Sequence, residues 1–390
     1  MNRTTLATAY MPLVDAAPLI VAQELGFAAA EGLALDLVRA PSWSSVRDML
    51  AFGRVDAAHM LSAMPVAMAM GIGGVQVEVS AVQVLSVNGN TIGVSRALAD
   101  RLRGRGFGFG FDDAAAAGAA LRDALDGPLR VGVPFPFSMH AELLYYWFEA
   151  VGFPADAVEV HTIPPPLMSA ALAEAEIDAF CVGAPWGSIS VERSEGELLL
   201  PGSAIWRFAP EKVLAVRRDW AETEPHLLGR LMRAVWRAGR WLAQEDSATT
   251  TAELLARPEY LDVPPELIDR ALTGRLTISP RGDQRRVPGF IEFHRGAATF
   301  PWLSQAEWIA DRIARRTGRD PAAARAASRR AFRSDLYREA LADTGAEMPG
   351  ASRKVEGAIR ERTAEAAVGG RVWLEADGFF DGRVFDPDAD

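Results

Sequence analysis

Lysine and cysteine are almost missing from this chain. Two of its 41 basic residues are lysines, Lys212 and Lys354, and its one cysteine is Cys181. A single thiol excludes an internal disulfide framework and a cysteine-based zinc site. The five histidines, among them His59 and His140, show no metal-ligand spacing, so no metal is expected; no cofactor is expected either. Excess positive charge is also lacking. The net charge is −10 and the isoelectric point about 5.2, which argues against direct nucleic-acid binding and against an anionic membrane surface. Any anion site must then be built locally, against the field of the whole molecule. Long apolar runs are absent too. The longest, Ala57 to Gly74, contains His59 and Pro65 and falls short of the roughly 20 strongly apolar residues of a spanning helix. It reads as a buried strand end followed by a buried helix. The start of the chain lacks the unbroken apolar core of a secretory signal, because Asp15 and Glu24 interrupt it. No nucleophile–base constellation stands out; Ser138 near His140 comes nearest.

What is present is an alternation of strands and helices. Thr4–Tyr10, Ala34–Arg39 and Val55–Ala58 read as strands separated by helices over Asp15–Leu25 and Val46–Phe52, a β-α-β-α-β order that predicts a parallel sheet. Ser44 and Ser45 offer caps for the second helix, with Trp43 in the loop before it. Asn88-Gly89-Asn90 is a turn signal, and the glycine-rich Arg103–Gly110 reads as a loop. Residues 92–203 form a second α/β unit. Its strands include Leu129–Val133 and Ile177–Cys181, and it contains a helix over His140–Val151. After Pro225 the pattern is almost wholly helical, and the tail Val372–Asp390 is acidic and loop-like. The expected architecture is α/β with two lobes: residues 1–91 plus 204–390, with a helical C-terminal portion, and residues 92–203. Ligands of such sheets bind at the carboxyl ends of the strands. That rule gathers Trp43, Asn90, His140 and the Gly183–Trp186 turn around one cleft.

Lys212 is the most informative residue. Arginine is the habit of this chain, and a compact ammonium suits a tight site where a point charge must approach a small ligand. The bland alternative is a surface lysine paired with Glu211. His140 opens a helix, where free N–H groups and a partial positive charge favour an anion. Its alternative is packing on Phe135 or Phe137. Trp43 and Trp186 carry indole donors suited to a ligand that only accepts, and each could equally be packing. Gly183 permits close backbone approach, or is a simple turn.

The segments MPLVDAAPLIVAQELGFAAAEGL, PSWSSVRDML, NGNTIGVS, FCVGAPW, PEKVLAVRRDW, TFPWLSQAEWI, SDLYREA and DGRVFDPD resemble, in order, the nitrate- and bicarbonate-binding proteins of bacterial ABC transporters. The resemblance implies a type II periplasmic-binding-protein-like fold. It places a nitrate site on Trp43, Asn90, His140, Gly183 and Lys212, with Trp186 and Ser138 as further candidates. Two departures stand out: Asn90 replaces a typical Gln, and Ala184 replaces an acid in the turn. The presence of Lys212 favours nitrate over bicarbonate. Together with the absent signal pattern, the chain most resembles the NasS-type cytoplasmic nitrate/nitrite sensors. Those imply a partner, a NasT-like ANTAR-domain RNA-binding antiterminator, which the ligand-bound sensor releases. The alternatives are the substrate-binding subunit of a nitrate or bicarbonate importer, and an enzyme like the pyridoxal-phosphate-dependent thiamine-pyrimidine synthases with Lys212 as Schiff base.

Overall fold

Two twisted sheets with helices on their faces form the two lobes. A computed structural model describes residues 3–154, 156–346, 348–368 and 370–389. The strands relevant to the site are β1 (Thr4–Tyr10), β2 (Leu33–Arg39), β3 (Ala57–Leu61), β4 (Val79–Asn88), β5 (Asn90–Ser95), β6 (Leu129–Val133), β7 (Val158–Thr162), β8 (Ala179–Gly183), β9 (Gly196–Pro201) and β10 (Pro210–Arg217). One sheet has the order Ile291–Glu292, β4, β10, β3, β1, β2, and the other β7, β6, β8, β5, β9. The α/β two-lobed class expected from the alternation is the class observed.

β1, β2 and β3 are parallel as predicted, but β10 enters antiparallel between β3 and β4, so the sheet is mixed. The expected strand at Val55–Ala58 starts two residues later and runs to Leu61. Five consecutive buried residues there, Ala57 to Leu61, give a strand covered on both faces. Asn88-Gly89-Asn90 is not a hairpin turn. β4 ends at Asn88 in one sheet and β5 begins at Asn90 in the other, with Asn88 and Gly89 at φ 61° and 93°. The chain returns between Pro201 and Pro210, and the two crossings lie side by side: the Asn88 amide donates to the Ala209 carbonyl at 2.9 Å.

Trp43 is not in a loop. Ser42, rather than Ser44 or Ser45, caps the helix Trp43–Ala51, its hydroxyl accepting the Ser45 amide at 3.2 Å. Gly196–Pro201, to which the sequence alone assigns no strand, is β9, wholly buried at the edge of the second sheet. The tail holds a hairpin of Thr363–Ala367 with Gly370–Leu374, so Val372–Leu374 is strand and not loop. The helical portion follows its apolar spacing. In Pro225–Leu242, Leu228, Leu231, Met232, Val235, Ala238 and Leu242 are buried at three- and four-residue intervals. No helix among the described residues is long and apolar enough to cross a membrane.

Candidate functional site

The facing ends of β3, β5, β8 and β10 enclose a polar cluster in an otherwise apolar interior. Its centre is Lys212, fully buried. The Nζ atom lies 2.8 Å from Asp15 Oδ2 and 2.8 Å from Glu211 Oε1. Successive strand residues ordinarily point to opposite faces. Glu211 and Lys212 do not, because β10 carries an extra residue against β4: Pro210 pairs with Val87, Lys212 with Ser86 and Val213 with Val84. That bulge turns both side chains into one site.

Asp15 sits in the 3-10 turn Val14–Ala16 just after β1. Its other oxygen lies 2.9 Å from His59 Nε2, and His59 Nδ1 accepts the Met11 amide at 3.4 Å, so the ring proton faces the carboxylate. Asn90, the first residue of β5, donates Nδ2–H to Glu211 Oε2 at 2.6 Å. His140, in the first turn of the helix Met139–Ala150, presents Nδ1 3.3 Å from Glu211 Oε1. Trp43 packs against the His59 ring with centroids 5.4 Å apart and planes tilted by 54°, and the ammonium lies 5.5 Å from the Trp43 ring centre. A Cβ on Gly183 would lie 2.7 Å from Leu13 Cδ2 and 3.6 Å from Asn90 Oδ1 and Asp15 Oδ2. A side chain there would have to displace the Leu13 tip, so glycine suits the close approach of β8.

Electrostatics follow from burial. Burial opposes ionisation of Asp15, but Lys212 and His59 outweigh it and hold its pKa below the carboxylate range. Burial pushes the Glu211 carboxyl up, against the pull of Lys212. Burial also opposes the Lys212 charge, yet the two carboxylates raise its pKa above the usual lysine value. Both imidazoles are held neutral: burial lowers His59 despite Asp15, and burial plus the Lys212 charge takes His140 well down. Lys212 is therefore a fixed positive charge. A Schiff-base lysine needs the opposite, a depressed pKa and a free amine.

Trp43, Asn90, His140, Gly183 and Lys212 thus converge, although they come from five separate segments. Trp186 and Ser138 stand nearby with their polar atoms committed. The Trp186 indole donates to the Pro12 carbonyl at 2.9 Å. The Ser138 hydroxyl donates to Phe135 at 2.7 Å and accepts the Ala141 amide at 3.2 Å as helix cap. The Trp186 bond, with Val14 N–H to Ala184 O at 2.9 Å, joins the lobes across the site. Sequence reading missed Asp15, His59 and Glu211. The available signal was ionisable residues inside stretches otherwise fit for a core, VDAAPLIVA and AAHML, since such groups are buried only when paired.

Several buried atoms at this site have no hydrogen-bond partner among the described residues: Trp43 Nε1, Asn90 Oδ1 and both ring nitrogens of His140. The chain supplies its own comparison. Lys354 is likewise held between two carboxylates, Glu356 and Asp377, with its ammonium 5.6 Å from the Trp302 ring centre. There every group is satisfied: Glu356 accepts the Ser304 hydroxyl at 2.6 Å, and Asp377 accepts the Ile359 amide at 2.9 Å. One lysine closes a finished network, and the other stands in an unfinished one. Native buried donors are rarely left unpaired. A surface cleft of about 690 Å³ lined by Arg218, Arg329, Arg330, Arg333 and Arg338 lies elsewhere, and four of those arginines already face Glu78, Glu307 or Asp335.

Comparison with known proteins agrees with this architecture. Residues 1–256 match the model of the NMT1-like family. The nitrate/nitrite binding protein NrtA of Synechococcus elongatus is 30% identical over 394 residues, covering 97% of this chain and 83% of that protein. The crystal structure of the periplasmic nitrate-binding protein NrtA from Synechocystis PCC 6803 superposes with a TM-score of 0.83 at 27% identity, over 99% of this chain and 96% of that one. The nitrate import ATP-binding protein NrtC of a Synechocystis species is 29% identical over 318 residues, 81% of this chain and 46% of that protein. The chain therefore spans about half the length, or less, of such ATP-binding relatives.

Proposed function

This chain belongs to the NMT1-like family, and on that premise we propose that it binds nitrate or nitrite between its lobes as the substrate-binding component of an ABC-type importer. The observation that carries the reading is the set of partnerless buried donors beside a buried ammonium. An ammonium has three hydrogens, and two are taken by Asp15 and Glu211. The third, with the Trp43 indole N–H and an imidazole N–H of His140, offers a converging set to a small anion that only accepts. The importer role is supported by the relatives, which include binding proteins and ATP-binding import proteins for nitrate and bicarbonate.

Titration calorimetry with nitrate and nitrite tests the reading. No heat with either anion would sink it, and an unchanged affinity in Lys212→Ala would sink the site. A cytoplasmic sensor acting on a NasT-like ANTAR regulator would use the same site, and rests on the resemblance alone. Co-purification of such a regulator in the absence of nitrate, and its loss when nitrate is added, is what that reading requires; cell fractionation tests the location.

A further inference from the structure

We infer that Glu211 takes up a proton when the site takes its anion, and that this proton sets which nitrogen of His140 faces the ligand. The inference rests on the nitrate-binding reading above. The geometry begins with one oxygen. Glu211 Oε1 is shared by Lys212 Nζ at 2.8 Å and His140 Nδ1 at 3.3 Å. When Glu211 is ionised, its natural partner is a hydrogen on His140 Nδ1. A neutral imidazole then has only a lone pair at Nε2. That lone pair would face an anion, which also brings only lone pairs. When Glu211 carries a proton on Oε1, the hydroxyl donates to Nδ1, and the imidazole hydrogen sits on Nε2. The partnerless Nε2 then becomes a donor to the ligand. The ionised pair holds one hydrogen, on Nδ1. The liganded pair holds two, on Oε1 and on Nε2, so one proton enters from solvent.

Charge points the same way. Asp15, Glu211 and Lys212 sum to one negative charge when all are ionised, and a monovalent anion would double it in a site closed to water. Like charges at this range in a poorly screened interior repel strongly. One proton restores the original total. Among the described residues, the groups facing Glu211 are Lys212 beside it, Asn90 from β5 on Oε2, His140 from its helix, Asp15 across the ammonium with His59 behind it, and the Cys181 thiol of β8. Burial and Asp15 already push the Glu211 carboxyl up, against Lys212 and Asn90. The bound anion adds to that push. His140, held neutral by burial and by Lys212, cannot store the proton as a second cation. Glu211 is thus a positioning residue that acts on the anion through His140.

Linkage gives the sign. A proton taken up on binding makes binding weaker as pH rises. The apparent Kd for nitrate rises by up to roughly tenfold per pH unit between the pKa of Glu211 in the free protein and its higher value in the complex. Calorimetry of nitrate binding in bis-Tris, imidazole and Tris, whose ionisation enthalpies differ, counts the protons. The expected result is about one proton taken up per nitrate within that window. Glu211→Gln, which carries its hydrogen permanently, should lose both the uptake and the pH dependence. In protein labelled with ¹⁵N-histidine, nitrate should move His140 to the Nε2–H tautomer. Nitrate binding by the wild type with no proton uptake and a flat pH profile wherever the protein stays folded overturns the inference. So does a His140 that remains protonated at Nδ1 in the complex. These wild-type readouts hold even if the variant fails to fold. A wild type that binds neither nitrate nor nitrite instead sinks the functional reading, and this inference with it.

Discussion

Lys212→Met removes one charge from a sealed site and leaves two carboxyls behind. Asp15, Glu211 and Lys212 are each at most 1% exposed, so water cannot take the place of the ammonium. Removing one member of a buried ion pair costs about 3–5 kcal/mol, because the remaining charge is stranded. Unfolding entropy of about 2.1 cal/mol/K per residue gives about 0.8 kcal/mol/K for this chain, so a loss of about 4 kcal/mol lowers Tm by about 5 °C. Nitrate at a hundred times its Kd stabilises the wild type by about 2.7 kcal/mol, or about 3 °C on the same scale; the variant should lose this increment as well. The deficit depends on pH. Lys212 and His59 depress the pKa of Asp15, so its contribution is present above the ordinary carboxylate pKa and is lost only as pH falls through the depressed folded value. Without Lys212 the same carboxyl, with Glu211, must be protonated to stay buried. The gap between variant and wild type is therefore widest near neutrality and narrows as pH falls toward the carboxylate range. Scanning fluorimetry with and without nitrate reads all three effects. A variant that melts within about 1 °C of wild type and keeps its nitrate shift would refute the reasoning.

Lys354→Met should cost a similar amount of stability, because Glu356 and Asp377 are equally buried, but it should leave the nitrate shift intact; loss of that shift would void the comparison between the two lysines. Trp43→Phe keeps an aromatic ring against His59 and deletes the partnerless N–H. A hydrogen bond to an ion contributes about 1.5–3 kcal/mol, so calorimetry should show nitrate affinity about 10- to 100-fold weaker with the fold retained. Gly183→Ala places a methyl 2.7 Å from Leu13 Cδ2, across the line where the lobes meet. It should weaken nitrate binding and abolish any nitrate-induced compaction seen by small-angle scattering, whereas an unaltered response would show that the lobes need not meet there.

Much of this was readable from residues alone, and the failures have physical causes. Strands such as β1 and β6 announce themselves by composition and by the turn residues that bound them. β10 could not be assigned a direction, because nothing local distinguishes an antiparallel insertion from a parallel one. β9 was missed because its acidic flank dominates a short apolar run, GELLLP, whose burial depends on pairing with β5. At the site, Trp43, Asn90, His140, Gly183 and Lys212 were named on chemistry and resemblance, and the fold brings them together. Glu211 was weighed only as a surface partner for Lys212. Periodicity places adjacent strand residues on opposite faces, and the bulge that overrides this in β10 is set by β4, more than a hundred residues earlier. Asp15 and His59 lie in apolar windows where pattern reading expects core. Their roles depend on the ammonium that neither neighbours in sequence.

The two crossings between the sheets have a mechanical consequence. Asn90 follows the first crossing by one residue, and Glu211 and Lys212 follow the second almost as closely, with the crossings tied together through Asn88 and Ala209. In any lever, displacement grows with distance from the fulcrum. Asn90, Glu211 and Lys212 sit at the fulcrum, so swinging the lobes apart hardly disturbs the bond between Asn90 and Glu211. Ala184 is tied to the first crossing as well, its amide donating to the Gly89 carbonyl at 3.0 Å, while its own carbonyl accepts the Val14 amide at 2.9 Å. The seat formed by Asn90, Glu211, Lys212 and Ala184 is thus anchored at the crossings themselves, and its shape is set by the same few backbone bonds that join the sheets.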